Sequence, residues 1–223
     1  MHRFLRLQIA VALLLALTTL VGCGSSRTAD SRFSNESGAA WAAPIHCEGV
    51  PNFYKVDDHL YRGGQPTEEG FRQLERMGIR TIINVRSVKS DEDLIKGTNL
   101  RYVEIPSSSY TMDEQELAQF IGTVSDSHYG PYFIHCHYGA DRTGAMVAAY
   151  RIVYHRWSNQ DALDEMREGG FHFNELCVRL PPLIRQLHRE ELCRLAGITQ
   201  SATSLRSIPK STTSGLPPMR NPQ

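Results

Sequence analysis

The chain has 223 residues, 41% of them hydrophobic, with 24 basic and 24 acidic side chains and no formal net charge. That balance argues against a nucleic-acid binder or a polybasic membrane patch, because both work through a surplus of positive charge. It leaves room for one globular domain of ordinary core size with appendages, so function has to be read from a site.

The first six residues include Arg3 and Arg6, and residues 7–21 form an apolar run of 15. A transmembrane helix needs roughly 20 such residues, so this is the layout of a secretory signal. The run closes on LVGC, Leu20 to Cys23, which resembles a bacterial lipobox, where the cysteine is acylated after cleavage. The expectation is a lipoprotein signal peptide over 1–22 and a flexible Ser/Gly/Ala-rich tether over 23–43. Cys23 would be the lipidation site, holding the protein to an extracytoplasmic membrane face. The competing reading is an ordinary signal with a soluble cleavage site. Residues 198–223 are Ser/Thr/Pro-rich without Asp or Glu and read as a disordered tail. The folded domain is expected over 44–197.

Within it, residues 52–66 read as two short strands about an Asp57-Asp58 turn, closed by Gly63-Gly64 and Pro66. Thr67 caps a predicted helix with Phe71, Leu74 and Met77 on one face and Gly78 at its end. The β-branched run 79–86 predicts a buried strand, and 101–106 another. Residues 113–124 predict a helix with Leu117, Phe120, Ile121 and Val124 as its apolar stripe. A strand follows over 131–136, then an apolar helix from Thr143. Ser158 caps a further helix bearing Ala162, Leu163 and Met166, ended by Gly169-Gly170. A last helical stretch spans 183–195. Strands alternating with helices make this an α/β protein with a central, largely parallel sheet of four to five strands.

The informative stretch is HCHYGADRTG, from His135 to Gly144. A turn from the carboxyl end of a strand into a helix can curl its N–H groups inward to hold an anion, helped by the helix dipole. Gly139 lets the backbone approach a ligand closely, and Arg142 offers a planar fork that matches two phosphoryl oxygens. Cys136 falls at the floor of this cradle, where the surroundings that bind an oxyanion also favour a thiolate. His137, Tyr138, Gly139, Ala140, Asp141 and Arg142 are the expected phosphate-binding residues. Thr143 is expected to donate a hydrogen bond to the sulfur and His135 to support the loop.

This His-Cys, five residues, Arg-Thr pattern resembles the signature of the cysteine-dependent protein tyrosine phosphatases. The segments VPNFYKVDDHLYRGGQP, GIRTIINVR, GADRTGAMVAAYRIV and WSNQDALDEMREGGFHF are similar to the compact bacterial, dual-specificity-like branch of that superfamily. The resemblance implies a three-layer sandwich and a two-step mechanism needing neither metal nor cofactor. Cys136 attacks phosphorus, an acid protonates the leaving oxygen, and water hydrolyses the cysteinyl-phosphate. It implies a phosphorylated protein as substrate, through phosphotyrosine and also phosphoserine or phosphothreonine, or else a small phosphate ester.

The family takes its general acid from a loop upstream of the cysteine. Asp113, 23 residues before Cys136, is the carboxylate best placed for that role, though it equally suits the N-terminus of a helix. Asp141 is a second candidate for the acid, with a structural ion pair as its alternative. Glu104 and Asp126 fit less well. Arg62 in LYRGGQP belongs to the family resemblance and is expected to be structural. His135, Cys136 and His137 do not form a metal-ligand spacing. Cys47, Cys177 and Cys193 leave open which two, if any, pair in an oxidising compartment. Three other functions compete: an inositol phosphate or phosphoinositide phosphatase, disfavoured by a loop without lysine, a non-catalytic phosphate-binding module, and a redox protein using Cys136.

Overall fold

The computed structural model describes residues 38–199. The expected signal peptide, Cys23, most of the tether and nearly all of the tail lie outside them.

Six strands form one sheet in the order β1-β2-β3-β6-β4-β5. They are β1 (Ala43–Pro44), β2 (Tyr54–Lys55), β3 (Leu60–Gly63), β4 (Thr81–Asn84), β5 (Arg101–Glu104) and β6 (Tyr132–His135). The first three pair antiparallel, whereas β3, β6, β4 and β5 run parallel. The sheet has one strand more than the upper count expected, because Ala43 and Pro44 pair with Lys55 and Tyr54 and lengthen its antiparallel edge.

The helices are α1 (Glu68–Arg76), α2 (Glu114–Val124), α3 (Asp141–Tyr154), α4 (Asn159–Glu168), α5 (Leu180–Gln186) and α6 (Arg189–Leu195). Side chains alternate across the strands, and this alternation builds a core on each face. Ile82 and Phe133 point to one side, where Phe71 and Leu74 of α1 and Phe53 cover them. Leu60, Ile83 and Ile134 point to the other, against Leu117, Phe120 and Ile121 of α2, Leu163 and Met166 of α4, and Ile184 and Leu192. Each large side chain enclosed this way contributes roughly 1.5–3 kcal/mol. Through α3, every residue from Thr143 to Tyr154 is buried.

Several local expectations hold. Thr67 Oγ1 accepts from Gly70 N at 3.1 Å, Ser158 Oγ from Asp161 N at 3.0 Å, and Gly78 ends α1 with φ +90°. Others need correction. Met77 is the C-cap of α1 and 46% exposed, not part of its buried face. Helix α3 begins at Asp141 rather than Thr143, which places Asp141 and Arg142 in its first turn. The last helical stretch is two helices, broken where Leu187 turns extended at ψ 132°. Its first helix takes Pro181 and Pro182 into the opening turn, where a missing N–H costs nothing. The break is stabilised from α4, since Asn159 Nδ2 donates to the carbonyls of Ile184, Arg185 and Leu187 at 3.1, 3.0 and 2.9 Å.

Candidate active site

Strand β6 lies between β3 and β4, and its last residue, His135, pairs with Gly63 on one side and Asn84 on the other. The loop that follows therefore leaves the middle of the parallel sheet at its carboxyl end. Its path leaves no room for a side chain at Gly139. This residue has φ +73°, and a Cβ there would fall 2.3 Å from the carbonyl carbon of Gly63. Both the positive φ and the contact select glycine.

The loop carbonyls are held from outside. His137 O accepts from Gln65 N at 3.1 Å and Tyr138 O from Asn52 Nδ2 at 2.9 Å. Gly139 O and Ala140 O accept from Arg62 Nη2 at 2.8 and 3.4 Å. With successive carbonyls turned outward, the intervening N–H groups face the opposite way. Those of His137 to Ala140 meet no acceptor among the described residues. The first turn of α3 adds N–H groups that have no intrahelical partner. The result is a concave, electropositive nest suited to a phosphoryl group, with Cys136, 2% exposed, at its base.

Two buried groups brace the nest. Arg62 has no solvent exposure and its guanidinium lies 3.6 Å over the ring of Phe171. Burial pushes its ionisation down to about 10, against the opposing pull of Glu165 and Cys136, so its cation persists behind the loop at neutral pH. His135 Nδ1 contacts Cys136 O at 3.3 Å, and its Nε2 lies 3.1 Å from Asp91 Oδ2, an ion-pair distance outside hydrogen-bond alignment. Asp91, fully buried, also accepts from Gln65 Nε2 at 2.9 Å and pairs with Arg86. His135 therefore stands between the first carbonyl of the loop and Asp91. Asp91, Gln65, Asn52 and Arg86 were not legible as site residues. Asp91 sits in a polar stretch with no periodicity, beside Glu92 and Asp93, and nothing local marks it out.

Arg142 is half-buried, and its Nη1 reaches Ser107 O at 3.5 Å under the segment 105–112. His137 and Tyr138 enter the nest through their backbone. Their side chains are exposed, Tyr138 at 72%, and stand at the rim. Thr143 is fully buried, and its hydroxyl has no hydrogen-bond partner, so the expected bond to the Cys136 sulfur is not formed. That hydroxyl costs about 1–3 kcal/mol while unsatisfied. Asp113 is exposed and caps α2: its carboxylate accepts from Gln115 N and Glu116 N, while Glu116 Oε2 accepts from Asp113 N at 2.7 Å. This capping box is the helical alternative to the acid role expected of Asp113. Asp141 Oδ1 accepts from Asn174 N at 2.8 Å, tying the segment after α4 to the loop. Cys47, Cys136 and Cys177 are thiols. Among the described residues, no group of three or more His, Cys, Asp or Glu is arranged to hold a metal ion.

Comparison with known proteins agrees with this geometry. Residues 48–177 match the family described as DSP-PTPase phosphatase fused to NAD+ kinase, and the loop from Cys136 to Arg142 falls inside the match. The dual specificity protein phosphatase TpbA of Pseudomonas aeruginosa is 31% identical over 134 residues, covering 59% of this chain and 60% of that protein. The chain therefore spans less than two thirds of that relative's length. The inositol diphosphatase DSP5 of Arabidopsis thaliana is 29% identical over 126 residues, covering 53% of this chain and 61% of that protein. A crystal structure of P. aeruginosa TpbA superposes with a TM-score of 0.63 at 25% identity, covering 70% of this chain and 96% of that one. A cysteine-to-serine variant of TpbA in complex with phosphotyrosine gives the same values.

Proposed function

The chain belongs to the DSP-PTPase family matched over residues 48–177, within the cysteine-dependent tyrosine phosphatase superfamily, and on that premise we propose that it hydrolyses phosphate monoesters through Cys136. The observation that carries this reading is the set of outward-held carbonyls from His137 to Ala140, which leaves inward N–H groups above a buried cysteine. In the first step the sulfur of Cys136 bonds to phosphorus as the bond to the leaving oxygen breaks. In the second, water attacks phosphorus, and phosphate and the thiol are regenerated. The N–H nest and the fork of Arg142 stabilise the equatorial oxygens where charge builds. Thr143, whose buried hydroxyl has no hydrogen-bond partner, supplies a hydrogen bond to the departing thiolate.

Phosphotyrosine is the proposed substrate, with phosphoserine and phosphothreonine as the wider range. TpbA is a dual specificity protein phosphatase, and its variant binds phosphotyrosine. The likeness to an inositol diphosphatase favours a second reading, an inositol phosphate substrate. Against it, Arg142 is the loop's one permanent cation, and the other basic side chains from His135 to Gly144 are two histidines. Turnover of phosphotyrosyl peptide set beside that of inositol phosphates separates the two.

The test of the chemistry is hydrolysis of para-nitrophenyl phosphate by the full chain, in chelator and reductant, beside Cys136→Ser. Activity confined to the wild type supports the reading, and activity retained by the serine variant sinks it. We also propose that Cys23 is acylated and holds the domain at an extracytoplasmic membrane face, supported by the LVGC sequence. Incorporation of labelled palmitate that survives Cys23→Ala would exclude this anchor.

A further inference from the structure

Asp91 is a fully buried carboxylate to which the two-step reaction gives no part, yet it reaches the loop by two routes. Gln65 makes the first: its Nε2 donates to Asp91 Oδ1 at 2.9 Å, and its backbone N donates to His137 O at 3.1 Å. His135 makes the second, with Nδ1 3.3 Å from Cys136 O and Nε2 3.1 Å from Asp91 Oδ2. The carbonyls of Cys136 and His137 are thus braced from one carboxylate. Each shares a rigid peptide plane with the N–H that follows, so the brace also aims the N–H groups of His137 and Tyr138.

The hydrogens on the ring decide what Asp91 does. A carbonyl oxygen only accepts, so His135 Nδ1 carries a hydrogen toward Cys136 O. In a neutral ring Nε2 would then be bare, facing Asp91 Oδ2. Both residues are fully buried, and neither of these atoms has a hydrogen-bond partner. Two bare acceptors 3.1 Å apart and away from water repel, whereas one further hydrogen turns the contact into an ion pair. Arg86 and Gln65 Nε2 both donate to Asp91 Oδ1, which suits an ionised carboxylate, so that hydrogen belongs to the ring. The ring faces are apolar: Phe133 stacks at 5.7 Å and Phe71 meets it edge-on at 6.1 Å. Among the described residues, the titratable and charged groups beside the ring are Asp91, with Arg86 behind it, and Cys136 at the next position.

We propose that Asp91 is a positioning residue for Cys136: it keeps both nitrogens of His135 bonded to hydrogen, so that a cationic ring fixes the Cys136 carbonyl and stands beside the nucleophile. For its effect on turnover the proposal rests on the phosphatase reading above. A cation there favours the sulfur anion that attacks phosphorus. The braced peptides hold their N–H groups toward the oxygens on which charge builds.

The test is Asp91→Asn, which keeps the size of the side chain. Its amide oxygen accepts from Gln65 and Arg86, and its amide nitrogen donates to a bare Nε2, so the loop stays braced while the ring becomes neutral. The ring nitrogens are read by NMR of the full chain carrying isotope-labelled histidine, with His135 assigned by the signals that His135→Gln lacks. Near neutral pH the wild type should show hydrogen on both nitrogens, and Asp91→Asn on Nδ1 alone. Alkylation of Cys136 by iodoacetamide, followed by the mass of its peptide, should be roughly tenfold slower in the variant. Its kcat/KM on para-nitrophenyl phosphate should fall by a similar factor. A wild-type ring with hydrogen on Nδ1 alone would overturn the proposal, and that spectrum stands whether or not the variant folds. Unchanged alkylation and turnover in a folded Asp91→Asn would overturn it too. Failure of the phosphatase reading looks different: wild type inactive, or Cys136→Ser active, with the ring spectrum as expected.

Discussion

Two arginines are enclosed in this domain, and they are treated in opposite ways. Arg151, in α3, is matched by a carboxylate: its Nε and Nη2 donate to Glu165 at 2.8 and 2.6 Å. Its Nη1 meets Val56 O and His155 Nδ1, and Trp157 stacks at 4.3 Å. Arg62, in β3, has no carboxylate within hydrogen-bond reach, and Glu165 acts on it only through charge. It spends one nitrogen on two loop carbonyls and a face on Phe171, while Nε and Nη1 have no hydrogen bond. An uncompensated buried cation is costly. Arg151 is neutralised by Glu165, whereas the guanidinium of Arg62 is left facing the carbonyls of the loop that carries Cys136.

The comparison can be broken at three points. The largest effect is expected from Glu165→Leu, which strands Arg151 and should cost about 3–5 kcal/mol by denaturant titration. Arg151→Met combined with it should recover most of that loss. The kcat/KM of folded protein should hardly change, and a matching fall in turnover would erase the distinction drawn between the two arginines. Arg62→Met should act the other way. Losing a preorganised positive group and releasing two carbonyls should lower kcat about 10²–10³-fold, with a smaller change in Tm than Glu165→Leu. Full activity in Arg62→Met would show that the loop holds its shape unaided.

The smallest effect concerns Asp57, which extends the Arg151 network through His155 Nε2 at 2.8 Å and the Tyr150 hydroxyl at 2.8 Å. Burial alone would raise its pKa. The hydrogen bond and charge of His155, His59 N and Tyr150 outweigh that and hold it at about 2, below the ordinary 3.8. A depressed carboxyl pKa stabilises the fold above the unfolded value, and that stabilisation is lost as pH falls through the folded one. Asp57 should therefore contribute about 2 kcal/mol near neutrality, lost between about pH 4 and pH 2. Asp57→Asn should flatten that part of the Tm–pH curve, and an unchanged slope would contradict the assignment.

The sequence by itself determined the features that act over a turn or less. The caps at Thr67 and Ser158, the buried stripe of α2, the β-branched run of β4 and the strand-to-helix loop with Cys136, Gly139 and Arg142 all follow from local spacing. Backbone sterics and capping need no distant partner. Tertiary structure alone decided what stands behind that loop and beside it. Arg62 reaches Gly139 across 77 residues, Asn52 reaches Tyr138 across 86, and Asp57 meets His155 across 98. It also gave different partners to Asp113 and Asp141, two carboxylates that sequence left as rivals. One caps the helix it begins, and the other accepts from Asn174 N and meets the Cys177 thiol. The physical reason is that a polar side chain takes its role from its partner. In a parallel sheet with crossing helices, packing of the whole core chooses that partner.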